Sequence, residues 1–135
     1  MLGEKEFNAL TEKIIKCAIE VHKELGPGLL ESVYGVCFKN LMVADGLDVK
    51  CQVVLPVTFR GEVLDKSFVL DQLVENEIIL ELKSVECILP IHEAQLITYL
   101  KLANKKLGLL INFNVHLLKT GIRRKINGNL NQECV

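Results

Sequence analysis

No stretch of this 135-residue chain approaches the roughly 18 consecutive apolar residues of a membrane span. The amino terminus, Met1-Leu-Gly-Glu-Lys-Glu-Phe, carries charges where a secretory signal needs an apolar run. Both absences point to a soluble, cytoplasmic protein with no membrane partner. Paired cysteines are missing too. Cys17, Cys37, Cys51, Cys87 and Cys134 are odd in number and far apart, with no Cys-x-x-Cys pair and no histidine at zinc-ligand spacing. They are expected to be reduced thiols, mostly filling the core. His22, His92 and His116 are scattered, which argues against a histidine-built metal site. Repeats, low-complexity tracts and linkers are also lacking, so one domain spanning residues 1–135 is expected. At that length a single core buries roughly two-thirds of the unfolded chain's surface.

A further absence is local. Residues 94–132 contain no Asp or Glu, yet hold Lys101, Lys105, Lys106, Lys119, Arg123, Arg124 and Lys125. Removing those seven from the sixteen basic residues leaves nine to balance all seventeen acids in the rest of the chain. Net charge is -1, which by itself argues against a strong polyanion binder. The segregation allows two readings: a solvated face balancing acidic helices, or a phosphate-facing edge beside an acidic site.

With half its residues hydrophobic and 24% charged, the chain is too apolar to be disordered. Phe7, Leu10, Ile14, Ala18, Val21 and Leu25 recur at helical spacing and predict an amphipathic helix over 4–25, stopped by Gly26-Pro27-Gly28. A second helix is expected to bury Leu30, Val33, Tyr34, Cys37, Leu41 and Ala44, ending near Gly46. From Leu47 the residues become β-branched and alternating, with turn signals at Arg60-Gly61-Glu62 and Glu75-Asn76-Glu77. Strands over about 49–59, 63–74 and 77–85 follow, joined as hairpins. Pro90 opens a helix to about Asn104, Leu107–Phe113 suits a buried strand parallel to an inner one, and Gly121–Asn127 a final basic strand. The order predicts an α/β fold with a central mixed sheet flanked by helices.

The hairpin 67–84 concentrates the chemistry. If Glu75-Asn76-Glu77 form a three-residue loop, Val74 pairs with Ile78 and Asp71 falls opposite Glu81. Strand alternation then gathers Asp71, Glu81 and Lys83 on one face and sends Ile78, Leu80 and Leu82 into a core. A two-residue loop would separate the carboxylates instead. Two carboxylates so placed repel unless a cation lies between them, and hard oxygen ligands suit Mg²⁺ or Mn²⁺. Lys83 could then orient or deprotonate a water, or stabilise charge on a phosphate. Glu-x-Lys alone says little; its setting in the apolar run Ile78-Ile-Leu-Glu-Leu-Lys says more, since a solvated strand would be more polar. Gln95 and Tyr99 stand one helical turn apart and read either as edge-of-core residues or as groups positioning Lys83 and substrate.

The order Asp71, Glu81-Leu-Lys83, Gln95-Leu-Ile-Thr-Tyr99 resembles the RecB-like branch of the PD-(D/E)XK nuclease superfamily. Within it, the chain is more similar still to the small prokaryotic GxxExxY proteins, whose motif stands here as Gly28-Leu-Leu-Glu31-Ser-Val-Tyr34. Leu55-Pro-Val, Pro90-Ile-His-Glu-Ala-Gln95-Leu and Gly108-Leu-Leu-Ile-Asn-Phe-Asn114 look like that family too, and the likeness runs from about residue 5 to 127. One departure is Asp71-Gln-Leu-Val where relatives have Asp-Leu-Leu-Val. The resemblance implies a restriction-endonuclease-like core, a metal bound by Asp71, Glu81 and the carbonyl of Leu82 with Glu31 nearby, and catalysis by Asp71, Glu81, Lys83, Gln95 and Tyr99.

The first functional expectation is therefore a Mg²⁺- or Mn²⁺-dependent nuclease acting on DNA, with RNA as the alternative substrate, gripping the strand through Lys101, Lys105, Lys106, Arg123, Arg124 and Lys125. The second is a non-catalytic nucleic-acid-binding or interaction module on the same scaffold, in keeping with the near-neutral charge. A homo-oligomer or protein partner is left open, as nothing in the sequence marks an interface.

Overall fold

In the computed structural model, residues 2–130 are described. Two helices, α1 (Glu4–Leu25) and α2 (Glu31–Ala44), precede three consecutive strands, β1 (Val49–Phe59), β2 (Glu62–Val74) and β3 (Ile78–Lys83). Helix α3 (Pro90–Ala103), strand β4 (Leu107–Asn112), a short 3-10 turn (Leu118–Gly121) and strand β5 (Ile122–Ile126) follow. The five strands form one mixed sheet in the order β1-β2-β3-β4-β5. Only the β3–β4 pair is parallel among them, because α3 carries the chain back across the sheet between these strands. Among the described residues no helix is long and apolar enough to cross a membrane.

The inner strands β3 and β4 are buried on both faces, which is why Ile78-Ile-Leu and Leu107-Gly-Leu-Leu-Ile run without polar alternation. One face carries the larger core: Phe7, Leu10, Ile14, Ala18 and Val21 of α1 and Tyr34, Phe38 and Met42 of α2 pack on Ile78, Leu80, Leu82, Leu109 and Ile111. On the other face α3 sets Leu96, Tyr99 and Leu100 against Leu55, Leu70, Leu73, Ile79 and Leu110.

The stripe expected on α2 is shifted. Leu30 is 72% exposed and Val33 and Ala44 are also exposed, while Tyr34, Phe38 and Met42 face the core, with Cys37 and Leu41 half-buried beside them. The reason is that Leu30, Val33, Val36, Phe38, Met42 and Val43 put apolar groups all round the helix, so spacing alone selects no face. Leu25, expected at the end of the α1 stripe, is exposed as well. The thiols also depart from expectation: Cys17 is buried, but Cys51 and Cys87 are exposed, and Cys134 lies outside the described residues.

Helix α1 stops at Gly26, and Gly28 takes φ 96°, a conformation disfavoured for side-chain-bearing residues. The loop so formed is tied by Tyr34, whose hydroxyl donates to the Gly26 carbonyl at 2.5 Å and accepts from the Leu29 N–H at 3.1 Å. Its ring stacks on Phe113 with centroids 4.6 Å apart. Tyr34→Phe removes both bonds from partly solvated backbone groups, so chemical denaturation is expected to show a loss of about 0.5–1.5 kcal/mol; unchanged stability would mean the hydroxyl does not hold the loop.

Candidate active site

The three-residue loop 75–77 is present and Val74 pairs with Ile78, followed by Leu73 with Ile79 and Gln72 with Leu80. There the β2–β3 ladder ends, although β3 continues beside β4 as far as Lys83 and Asn112. Side chains take over from the missing ladder bonds. The Leu82 N–H donates to Asp71 Oδ2 at 2.8 Å, and the Asp71 N–H donates to Glu81 Oε1 at 3.2 Å. The two carboxylates are thus fixed at the point where the strands part.

Beyond this point β2 changes the phase of its pleat. Leu70 and Leu73 both enter the α3-side core although three residues apart, while Gln72 and Val74 face α1 and α2. A regular strand has a period of two, so the irregularity lies at Asp71 and Gln72. Strand β1 shows it as well: Cys51 pairs with Gln72 and Val53 with Leu70, whereas Gln52 between them takes φ 53° and, with Asp71, drops out of the ladder. Farther along, the β1–β2 pairing shifts register between Pro56 and Thr58, and Phe68 meets Tyr99 of α3 at 5.2 Å between ring centroids.

Glu31 is brought in by the loop before α2. Just past Lys83, the Ser84 hydroxyl donates to the Leu29 carbonyl at 2.6 Å, and Tyr34 holds the same loop from beneath. Glu31, the first residue of α2, therefore stands within the electrostatic reach of Asp71 and Lys83. Asn112 clamps the chain after β3 by accepting from the Val85 N–H and donating to the Val85 carbonyl, both at 3.0 Å.

Electrostatics follow from this packing. Glu81 is 8% exposed, and its carboxyl is pushed up to about 8, first by burial and then by the Asp71 charge, with Lys83 opposing. The Glu31 carboxyl is raised by partial burial and by Asp71, again against Lys83. Burial and the fields of Glu81 and Asp71 also raise the Tyr99 phenol. Asp71, Glu81, Lys83, Glu31 and Tyr99 thus form one electrostatic group. Gln95 lies exposed one turn before Tyr99.

A family model described as the PD-(D/E)XK nuclease superfamily matches residues 8–125. The chain belongs to the PD-(D/E)XK nuclease superfamily. No curated protein and no solved structure matches it. The mixed five-stranded sheet with three helices is consistent with that superfamily's restriction-endonuclease-like core.

PD-(D/E)XK nucleases generally use divalent metals, so the donor set bears testing. Among the described residues no three His, Cys, Asp or Glu side chains converge as a metal cage. What is present is a carboxyl pair, Glu81 buried and Asp71 half-buried, each accepting a backbone N–H. Because a residue's N–H and C=O point to the same side of a strand, the Leu82 carbonyl turns toward β2 together with the N–H bound to Asp71. Two carboxylates and a carbonyl fit Mg²⁺ or Mn²⁺, hard ions that retain several waters, and do not resemble a closed cage.

The basic residues do not gather at this site. Lys105 and Lys106 precede β4, whose first residue pairs with Ile78, so they lie at the sheet end opposite Lys83, about 17 Å along the strands. Lys101 is exposed in the last turn of α3. Lys125 pairs with Glu93 at 2.6 Å, which also holds the Glu93 carboxyl below its usual range, and Arg124 donates to Asn8 Oδ1 at 2.7 Å. Arg123 donates to the carbonyls of Thr120 and Ile122, yet shares a sheet row with Glu81, since both are register partners of Leu110. Gln52, Gly35 and Asn112 were not singled out from the sequence. A left-handed glutamine in a strand leaves no sequence signal, whereas Asn112 in an otherwise apolar run offered one.

The Glu81 proton gives a pH test. Its folded value near 8 lies above the ordinary 4.5, so the native state holds more protons between those limits. That stabilisation is complete below about pH 4.5 and is lost as pH rises through 8. The metal-free protein's Tm is expected to fall from the lower to the upper limit, and Glu81→Gln to flatten the profile; parallel profiles in the two proteins would contradict the assignment.

Proposed function

We propose that this protein is a divalent-metal-dependent nuclease that hydrolyses phosphodiester bonds in nucleic acid, with DNA as substrate, and that the chain works as one catalytic domain. The observation that carries the reading is the carboxyl pair Asp71 and Glu81, fixed by backbone bonds at the parting strands, with Lys83 in the same field. Membership of a nuclease superfamily supports it. The finer likeness to the GxxExxY proteins gains support from distinct tasks for the three motif residues: Gly28 allows the turn, Glu31 approaches the carboxylates and Tyr34 holds the loop.

In the hydrolysis, a water oxygen adds to phosphorus, the bridging P–O bond breaks, and a proton passes to the departing oxygen. The products are a phosphate monoester and a hydroxyl. Asp71, Glu81 and the Leu82 carbonyl would hold a Mg²⁺ or Mn²⁺ ion, with Glu31 beside them. When bound, that ion supplies positive charge at the phosphate. Lys83 orients the water or stabilises the negative charge that develops on the phosphoryl oxygens. Tyr99 and Gln95, on α3, position Lys83 and the strand. Lys101, Lys105, Lys106, Arg123, Arg124 and Lys125 serve as sequence-independent phosphate contacts outside the centre.

Purified protein is expected to cut DNA in Mg²⁺ or Mn²⁺ and to stop on chelation. Asp71→Ala and Lys83→Ala are each expected to slow cleavage by about a hundredfold or more, the scale for losing one group that stabilises developing charge. Wild-type protein that cuts nothing, or variants that cut equally well, would exclude the enzyme reading; salt-dependent binding without metal uptake would favour a non-catalytic module.

A further inference from the structure

We infer that the groove between α2 and the β1–β2 hairpin is a nucleobase subsite, in which Gln72 Oε1 accepts a hydrogen bond from an exocyclic amino group of a base lying beside Asp71. The inference rests on the nuclease reading, since the base belongs to the strand whose phosphate faces the carboxylates.

The groove measures about 710 Å³, within the roughly 300–1,000 Å³ of small-molecule sites. Leu30, Val36 and Leu82 give it apolar walls, Lys39 lines it as well, and Asp71 belongs both to it and to the carboxyl pair. Gln72 also lines it and is 3% exposed. Its Nε2 donates to the Gly35 carbonyl at 2.9 Å, but its Oε1 is buried with no donor. Native structures rarely keep a buried acceptor unsatisfied.

Gly35 is the second observation. A glycine inside a helix lowers stability, so it needs a reason. Conformation does not supply one, because Gly35 lies within α2 and has no positive φ. Packing does not either: a Cβ there would meet Leu82 Cδ1 at 3.6 Å and Gln72 Nε2 at 3.9 Å, which are ordinary contacts. A methyl group would instead occupy groove space over the Gln72 amide. On the hairpin side, Gln52 holds its unfavourable φ of 53° as another lining residue.

The chemistry of the gap selects the ligand. Apolar walls suit the faces of an aromatic ring, and a lone buried acceptor demands a donor at the ring's edge. Cytosine, adenine and guanine each carry an exocyclic amino group at the ring's edge. Uracil and thymine project a carbonyl, which would set acceptor against acceptor. A cation on the groove wall, Lys39, suits the phosphate that flanks such a base.

Fluorescence anisotropy with labelled oligodeoxycytidine, oligodeoxyuridine and an abasic strand of equal length, in Ca²⁺ to hold back cleavage, tests this. Cytosine and uracil differ at the exocyclic position, so their comparison isolates the amino group. Oligodeoxycytidine is expected to bind about fivefold or more tightly than oligodeoxyuridine, the scale for satisfying one buried acceptor, and the abasic strand to bind most weakly. Gln72→Leu keeps the side-chain bulk and is expected to remove the cytosine preference. Gly35→Ala is expected to weaken both base-bearing strands toward the abasic level, and thermal melting verifies that both variants remain folded. Equal binding of the three strands, or a cytosine preference intact in both variants, would overturn the subsite while metal-dependent cleavage leaves the nuclease reading standing. Absence of both binding and cleavage with every strand would overturn both.

Discussion

Where β2 leaves β3, two backbone N–H groups lose their ladder partners inside the protein, and carboxylates take their place. Asp71 accepts from Leu82, and Glu81 accepts from Asp71. Neither acid can be moved without exposing an unpaired donor, so the same bonds that terminate the ladder fix the separation of the two acids. Burial first, and then the closeness of the Asp71 charge, push the Glu81 carboxyl up to about 8. A cation at the pair would relieve that repulsion.

The rest of the fold serves to keep this parting in place. On one side Tyr34 and Ser84 pin the Gly26–Leu29 loop to the end of β3 and so deliver Glu31, while Asn112 holds the chain after Lys83. On the other, Phe68 and Tyr99 bind the hairpin to α3. Gln52, with φ 53°, drops out of the β1–β2 ladder opposite Asp71, where β2 changes phase. Glu31, Asp71, Glu81, Lys83 and Tyr99 are thus brought together by four elements, α2, β2, β3 and α3.

Much of this could be read from the chain because local rules decide it. Glu75-Asn76-Glu77 fixed the turn length, the turn fixed the pairing of Val74 with Ile78, and that pairing brought Asp71 to Glu81. Parallel pairing of Leu107–Asn112 followed from a helix crossover between two buried strands. Where several answers had equal local support, the reading failed: α2 is apolar on every side, so its buried stripe was misassigned to Leu30 and Val33. The acid-free segment allowed both a solvated face and a phosphate-facing edge, and the fold spreads it out: Glu93, one residue before it, pairs with Lys125, and strand direction carries Lys105 and Lys106 to the far end of the sheet. The Gln72 acceptor, the space above Gly35 and the ladder break at Gln52 exist only in three dimensions.

If the Asp71–Glu81 pair is a cation site, the ion displaces the Glu81 proton. Calorimetric titration of Mn²⁺ near pH 7, repeated in buffers of different ionisation heat, measures both events at once. One site that releases about one proton per ion is expected, with binding lost in Asp71→Asn and proton release lost in Glu81→Gln. Binding with no proton release, or binding that survives unchanged in both variants, would contradict it.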